Sequence, residues 1–271
     1  MYLGLLTRCK DEFFIKEFCD YYLEQGVDKI FVLDDNSNDK SIYEPITDER
    51  VEIIYEKKLF DKYGQMRIAN SYYKKISKDF KWLIFVDVDE FITTKHNGNN
   101  TIRRELETTF ADTDCIKIPW VMMATNGIHN NPQSVLIENT YRWNHDKRHP
   151  HKIAKFRCRY NKIEVKCIFK PAKFKTISVH HPDNPIGNPK IVNSINNNDT
   201  TLNPYHNDLR EDDIRTGYLL CYHHRIISRE NAINKLNKTQ YLKYTIDDLM
   251  NGDHSEIEDT TLKNKALNIQ L

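Results

Sequence analysis

The 271-residue sequence predicts an α/β fold with a mostly parallel sheet. Three observations carry this. Short apolar runs alternate with segments of helical spacing through the first half; each run ends in a polar cluster; and the second half turns to strand-like segments with alternating character.

Taken in order, residues 2–7 (YLGLLT) form a short buried strand, and Phe14, Phe18, Tyr21, Tyr22 and Gln25 then recur at spacings of three and four. Gly26 supplies the stop. KIFVL (29–33) is a second strand, closed by the bend-favouring DDNSND, and VEIIY (51–55) is a third. A helix from Gln65 to about Ser77 leads into a fourth strand, WLIFV (82–86). Strand, helix, strand, helix, strand implies parallel strands joined by crossover helices. Downstream, 116–120, 134–143, 152–160, 163–169 and 176–181 are strand-like, Pro182 to Asn207 is a long polar loop, and 208–250 returns to helical spacing.

Composition excludes several classes. With 39% hydrophobic residues, including 15 Tyr, 12 Phe and 3 Trp, the chain can build a large core and is not disordered. MYLGLLTRCKDEF is interrupted by charge too early for a signal peptide, and no later run is long enough to span a bilayer. The expectation is a soluble, cytoplasmic protein with room for peripheral membrane contact. Cys9, Cys19, Cys115, Cys158, Cys167 and Cys221 form no C-x-x-C pair and read as reduced core thiols. Between Arg142 and Lys175, twelve Lys and Arg face two acids, whereas the whole chain carries only +1. A basic band on a neutral chain suits a localised anionic ligand better than a nucleic acid, although a solvated face would look the same.

In open α/β sheets ligands sit beyond the carboxyl ends of the strands. TRCKDE (7–12), DDNSND (34–39) and DVDE (87–90) follow three such ends and should converge. In an extended chain Asp87 and Asp89 point to one side and Glu90 to the other. Two carboxylates about 5 Å apart repel by roughly 1 kcal/mol in water and by more inside a protein, so a cation is expected between them. Mg²⁺ or Mn²⁺, completed by phosphate oxygens, is the natural choice.

TRCKDEFFIKEFCDYYLEQGVDKIFVLDDNSND, WLIFVDVDEFI, PWVMMATNG with VLIEN, VKCIFKP, SVHHP and YHHRIISRENAINK occur here in an order that resembles GT-A fold, nucleotide-sugar-dependent glycosyltransferases of the family 2 and family 92 neighbourhood. Similar domains occur in large DNA viruses and in bacterial polysaccharide clusters. The resemblance implies a GT-A, Rossmann-like sheet flanked by helices. Residues 1–205 would be the catalytic domain, and 206–271 a C-terminal helical segment that completes the site with His223. It implies a sugar nucleotide donor, UDP-linked by preference, a glycan or glycoconjugate acceptor, and inversion at the anomeric carbon.

Thr7, Arg8, Glu12, Asp35, Gln65, Arg67, Asp87, Lys166 and His180 would bind the donor. Asp87, Asp89 and His223 would hold the metal, and Trp120 and Asn126 would meet acceptor or sugar. Glu138 and Asp183 are the two candidates for the general base. The sequence departs from the family pattern in Lys10-Asp11-Glu12, in Ala124 to Gly127, and in His223-His224, which leaves the ligand histidine open by one place. Two alternatives stand beside this reading. One is a phosphatase of the haloacid dehalogenase type using the same D-x-D; the other is a carbohydrate-binding or assembly module without turnover.

Overall fold

The computed structural model describes residues 1–55, 64–95, 100–147, 149, 162–195, 201–238 and 245–269. In chain order the elements are β1 (Leu3–Cys9), α1 (Ile15–Glu24), β2 (Lys29–Asp34), β3 (Val51–Tyr55), α2 (Gly64–Ile76), β4 (Trp82–Asp87), β5 (Glu90–Thr94) and α3 (Ile102–Glu107). Next come β6 (Cys115–Ala124), α4 (Val135–Glu138), β7 (Tyr141–Arg142), β8 (Lys162–Phe169), β9 (Phe174–Ile177), β10 (Pro182–Pro185), β11 (Ile191–Asn193) and β12 (Tyr205–Asn207). The chain closes with α5 (Glu211–Thr216), β13 (Leu219–His223), α6 (Arg229–Lys238), α7 (Ile246–Met250), β14 (Ile257–Glu258) and α8 (Thr261–Ile269).

The main sheet runs β14-β7-β6-β8-β4-β1-β2-β3, with β11, β12, β13 and β5 paired off that path. β3, β2, β1 and β4 are mutually parallel. β8 is antiparallel to both β4 and β6, so β6 again runs with β4. The fold is therefore α/β with a mixed, Rossmann-like sheet, as the sequence predicts.

Alternation within the strands explains why they read as unbroken apolar runs. Leu3, Leu5, Ile30, Val32, Trp82, Ile84 and Val86 pack with Phe18, Tyr21 and Tyr22 of α1. Leu6, Phe31, Leu33, Leu83 and Phe85 pack with Ile68, Ala69 and Tyr73 of α2. A sheet covered on both faces needs apolar residues on both. α1 ends where expected, at Gly26, whose φ of 89° lies in the left-handed region glycine favours.

Several segments differ from expectation. Residues 134–143 are not one strand: Ser134 caps α4 by accepting from Ile137 N, and the Glu17 carboxylate accepts from Ser134 Oγ, Val135 N and Leu136 N. A tertiary cap converts a strand-like stretch into a helical turn. The polar 182–207 stretch holds the short strands β10, β11 and β12. The segment after 206 is not wholly helical either. Buried Leu219–His223 forms β13, which pairs with β5 and β6 and draws that segment into the sheet. The strand expected at 152–160 and Cys158 lie outside the described residues. The other five cysteines are buried and free, and no helix among the described residues is long and apolar enough to cross a membrane.

Candidate functional site

β1 and β4 lie side by side while β2 and β3 continue on the other flank of β1, so the strand order reverses at their carboxyl ends. Such a switch point opens a crevice. Arg8 and Asp87 occupy matching positions there, one on each strand. The middle of β6, the middle of β8 and the end of β13 lie beside this edge, bringing Trp120, Lys166 and His223.

The acids are not delivered by one extended strand. β4 ends at Asp87, the chain turns through Val88 and Asp89, and β5 begins at Glu90. The period-two expectation for Asp87, Asp89 and Glu90 therefore fails, because β5 swings away to pair with β13. Glu90 turns back toward the site: its Oε2 accepts from Asp87 N at 2.8 Å and lies 3.0 Å from Lys166 Nζ.

Each acid has a cation. Asp87 Oδ1 takes Arg8 Nη2 at 2.9 Å, and Oδ2 takes Lys166 Nζ at 3.0 Å. Lys166, 1% exposed at its side chain, also donates to Val179 O at 2.9 Å. Asp89 Oδ2 takes Lys235 Nζ at 2.6 Å, and Asp89 Oδ1 faces His223 Nε2 at 3.6 Å. Burial alone would raise the pKa of Asp87, but Lys166 and then Arg8 hold it well below the usual carboxylate range. Asp89 behaves alike: burial is overcome by Lys235 and His223. Glu90 goes the other way, pushed up to about 8 by burial and by its acidic neighbours despite Lys166. Burial favours the neutral imidazole of His223 more strongly than Asp89 favours its cation. A neutral ring keeps a lone pair for a ligand.

The aromatic wall is compact. The Trp120 ring lies 4.1 Å from that of His223 and 5.5 Å from that of His180, which reaches Val165 O at 3.2 Å and Glu164 at 3.5 Å. Trp120 is 4% exposed and its indole N–H is buried without a partner among the described residues. A buried donor of that kind commonly awaits a ligand or water.

The other expected residues spread around this centre. Thr7 is fully buried in β1, with its hydroxyl unpartnered among the described residues. Glu12, in the loop after β1, exerts its field on Lys235. Asp35 is half-buried after β2 and donates from its backbone to Cys9 O at 2.7 Å. Arg67 is exposed on α2, whereas the Gln65 side chain lies outside the described residues. Asn126 sits at an exposed turn after β6, with φ of 52° and its N–H on Ser255 Oγ. Glu138 is exposed at the end of α4, where it accepts from Ser134 N. Asp183 is exposed on the β9–β10 hairpin and accepts from Asn184 N. Neither base candidate contacts the acidic cluster in this arrangement.

Two site residues escaped the sequence reading. Glu90 is expected only to point away from Asp87 and Asp89, and Lys235, which ends the YHHRIISRENAINK stretch, is given no role of its own there. Lys235 follows buried Asn231 and Ala232 by four and three residues, which places a lysine on the inner face of α6. That spacing and the place of Lys235 at the end of YHHRIISRENAINK are the two signals that mark it.

No set of three His, Cys, Asp or Glu side chains poised for a metal occurs among the described residues. Asp87, expected as a ligand, has both oxygens engaged by cations. What fits a metal is the pair Asp89 Oδ1 and His223 Nε2, an oxygen and a nitrogen facing each other at 3.6 Å, too far for a strong hydrogen bond. An O/N pair suits Mn²⁺, and Mg²⁺-type sites commonly take one or two carboxylates and leave the remainder to phosphate and water.

The crystal structure of HddC from Yersinia pseudotuberculosis is similar over 65% of this chain and 79% of its own, at 13% identity and a TM-score of 0.33, too slight a likeness to argue from. No curated protein matches. The family model for glycosyltransferase family 92 matches residues 58–264, more than half of the chain and most of the cluster just described. The chain belongs to glycosyltransferase family 92 and is a glycosyltransferase.

Proposed function

We propose that the protein moves a sugar from a nucleoside-diphosphate sugar, UDP-linked by preference, to a hydroxyl of a glycan or glycoconjugate, with inversion at the anomeric carbon. The observation that carries this reading is the switch-point cluster, where Arg8, Lys166 and Lys235 meet Asp87, Asp89 and Glu90 at one sheet edge. Arg8 and Lys166 fix Asp87 from two sides, and they leave a cationic field where negative charge builds on the leaving diphosphate. Asp89 and His223 would hold a divalent cation, Mn²⁺ or Mg²⁺. When bound, that ion would supply Lewis-acid stabilisation of the departing diphosphate. Trp120, pinned between His180 and His223, offers an apolar wall for a sugar face.

The base must lie on the acceptor side and remove the proton of the attacking hydroxyl. Asp183 belongs to the hairpin whose turn carries Val179, the Lys166 acceptor. Glu138 caps its own helix beside α1. We therefore place Asp183 ahead of Glu138.

The test is turnover. UDP-, GDP- and dTDP-sugars are incubated with the protein, with and without Mn²⁺, and free nucleoside diphosphate is measured. Slow, cation-dependent release from one nucleotide class, lost in Asp89→Ala, is the expected result. Equal release in EDTA would overturn the metal assignment, and release from none of the three would overturn the donor assignment.

A further inference from the structure

Lys235 sits where a cation-binding carboxylate would ordinarily be open. Its Nζ lies 2.6 Å from Asp89 Oδ2 and donates to Arg225 O at 2.9 Å, so α6 presents the ammonium group to Asp89 in a fixed position. Around it cations at least match the acids, since Glu90, buried beside Asp87, is largely neutral near pH 7. Asp87, Asp89 and Glu90 face Arg8, Lys166 and Lys235, while Glu12 and Arg225 add one further charge of each sign near Lys235. A divalent ion arriving alone finds a carboxylate whose charge is already answered. A nucleoside diphosphate changes that count by bringing negative charge of its own.

We propose that Lys235 makes cation binding at Asp89 and His223 conditional on the diphosphate, so that the two ligands enter together. The inference rests on the donor and metal assignments above. Lys235 holds Asp89 Oδ2 and leaves Oδ1 turned toward His223, so the carboxylate is oriented for the ion while its charge is withheld. The diphosphate then restores the attraction and gains the ammonium as a partner. Coupling of this kind is reciprocal: whatever factor UDP adds to Mn²⁺ affinity, Mn²⁺ adds to UDP affinity. The rival role for Lys235 is a plain clip on the Asp89 rotamer. Loss of such an outer partner typically weakens a metal site by about 10–100-fold. The two roles predict opposite signs.

The experiment titrates Mn²⁺ into the full-length protein with and without UDP, reading bound Mn²⁺ by electron paramagnetic resonance. It compares wild type, Lys235→Met and Lys235→Arg, with a thermal melt on each. Wild type should bind Mn²⁺ at least tenfold more tightly with UDP present. Lys235→Met should bind Mn²⁺ alone about tenfold or more tightly than wild type does and lose most of the UDP effect, and Lys235→Arg should keep the wild-type ratio. Unchanged or weaker Mn²⁺ binding by Lys235→Met without UDP would overturn the proposal while leaving the metal site standing. Wild type that binds Mn²⁺ equally with and without UDP overturns it too, whatever the folding of the variants. Wild type that binds Mn²⁺ under neither condition removes the metal assignment itself.

Discussion

Lys166→Met gives the sharpest test of how the cluster is held. Lys166 and Glu90 are each 1% exposed at the side chain and lie 3.0 Å apart, while Asp87, 32% exposed, keeps Arg8 as a second partner. Removing the ammonium therefore strands Glu90 far more than Asp87. Breaking a buried pair by deleting one member costs about 3–5 kcal/mol, because the remaining charge has neither water nor a partner. That is a large share of the roughly 5–15 kcal/mol that holds a typical domain together. Glu90, pushed up to about 8 beside Lys166, is ionised mainly above that pH, so urea unfolding should show a loss of up to this range for Lys166→Met at pH 9 and a smaller one at pH 7. The double variant Lys166→Met/Glu90→Gln should recover most of it, since the stranded charge is gone although the hydrogen bond to Asp87 N can still form. The coupling between the two sites is the loss in the double variant less the losses in Lys166→Met and Glu90→Gln measured singly. If at pH 9 Lys166→Met unfolds within 0.5 kcal/mol of wild type, or if the double variant is no better than the single, the reasoning from burial and pairing is refuted.

Two further outcomes follow from other parts of the molecule. Glu17→Ala removes the acceptor of Ser134 Oγ, Val135 N and Leu136 N and should cost about 2–3 kcal/mol in urea unfolding; a loss under 0.5 kcal/mol would mean that α4 needs no tertiary cap. His145, held down to about 3 by burial and then by Arg142 and His149, stays neutral in the fold while the unfolded chain takes up a proton near its ordinary value of 6.5. Its contribution is thus fully present above pH 6.5 and is lost as pH falls toward 3, at up to about 1.4 kcal/mol per pH unit. His145→Gln should flatten the acid limb of stability against pH by up to that slope, and an unchanged limb would contradict the assignment.

How much of this was legible depends on whether local pattern or distant contact decides. β1, β2, β3 and β4 were legible because a sheet buried on both faces writes itself as continuous apolar runs, and α1 because its buried residues recur at three and four before Gly26. α4 was not, since its cap is Glu17, 117 residues away from Ser134. The helical reading after residue 208 missed β13, whose apolar Leu219–His223 finds its hydrogen bonds only against β5 and β6.

The site divides the same way. Acids at the end of an apolar strand are visible in DVDEF, and so was their need of positive charge. Their orientation was not, because the period-two rule holds only while the chain stays extended, and here it turns at Val88 and Asp89. Arg8 and Lys166 were named as donor contacts, but their meeting with Lys235 on these acids brings together three separate elements, a convergence that no local spacing records.

The central claim is that this edge binds a nucleoside diphosphate through Asp89. The measurement that tests it most directly is calorimetric titration of UDP into wild type and Asp89→Ala in the presence of Mn²⁺. The account predicts saturable binding by wild type and at least a tenfold loss in Asp89→Ala, with both proteins melting cooperatively. Equal UDP affinity in the two proteins would contradict it.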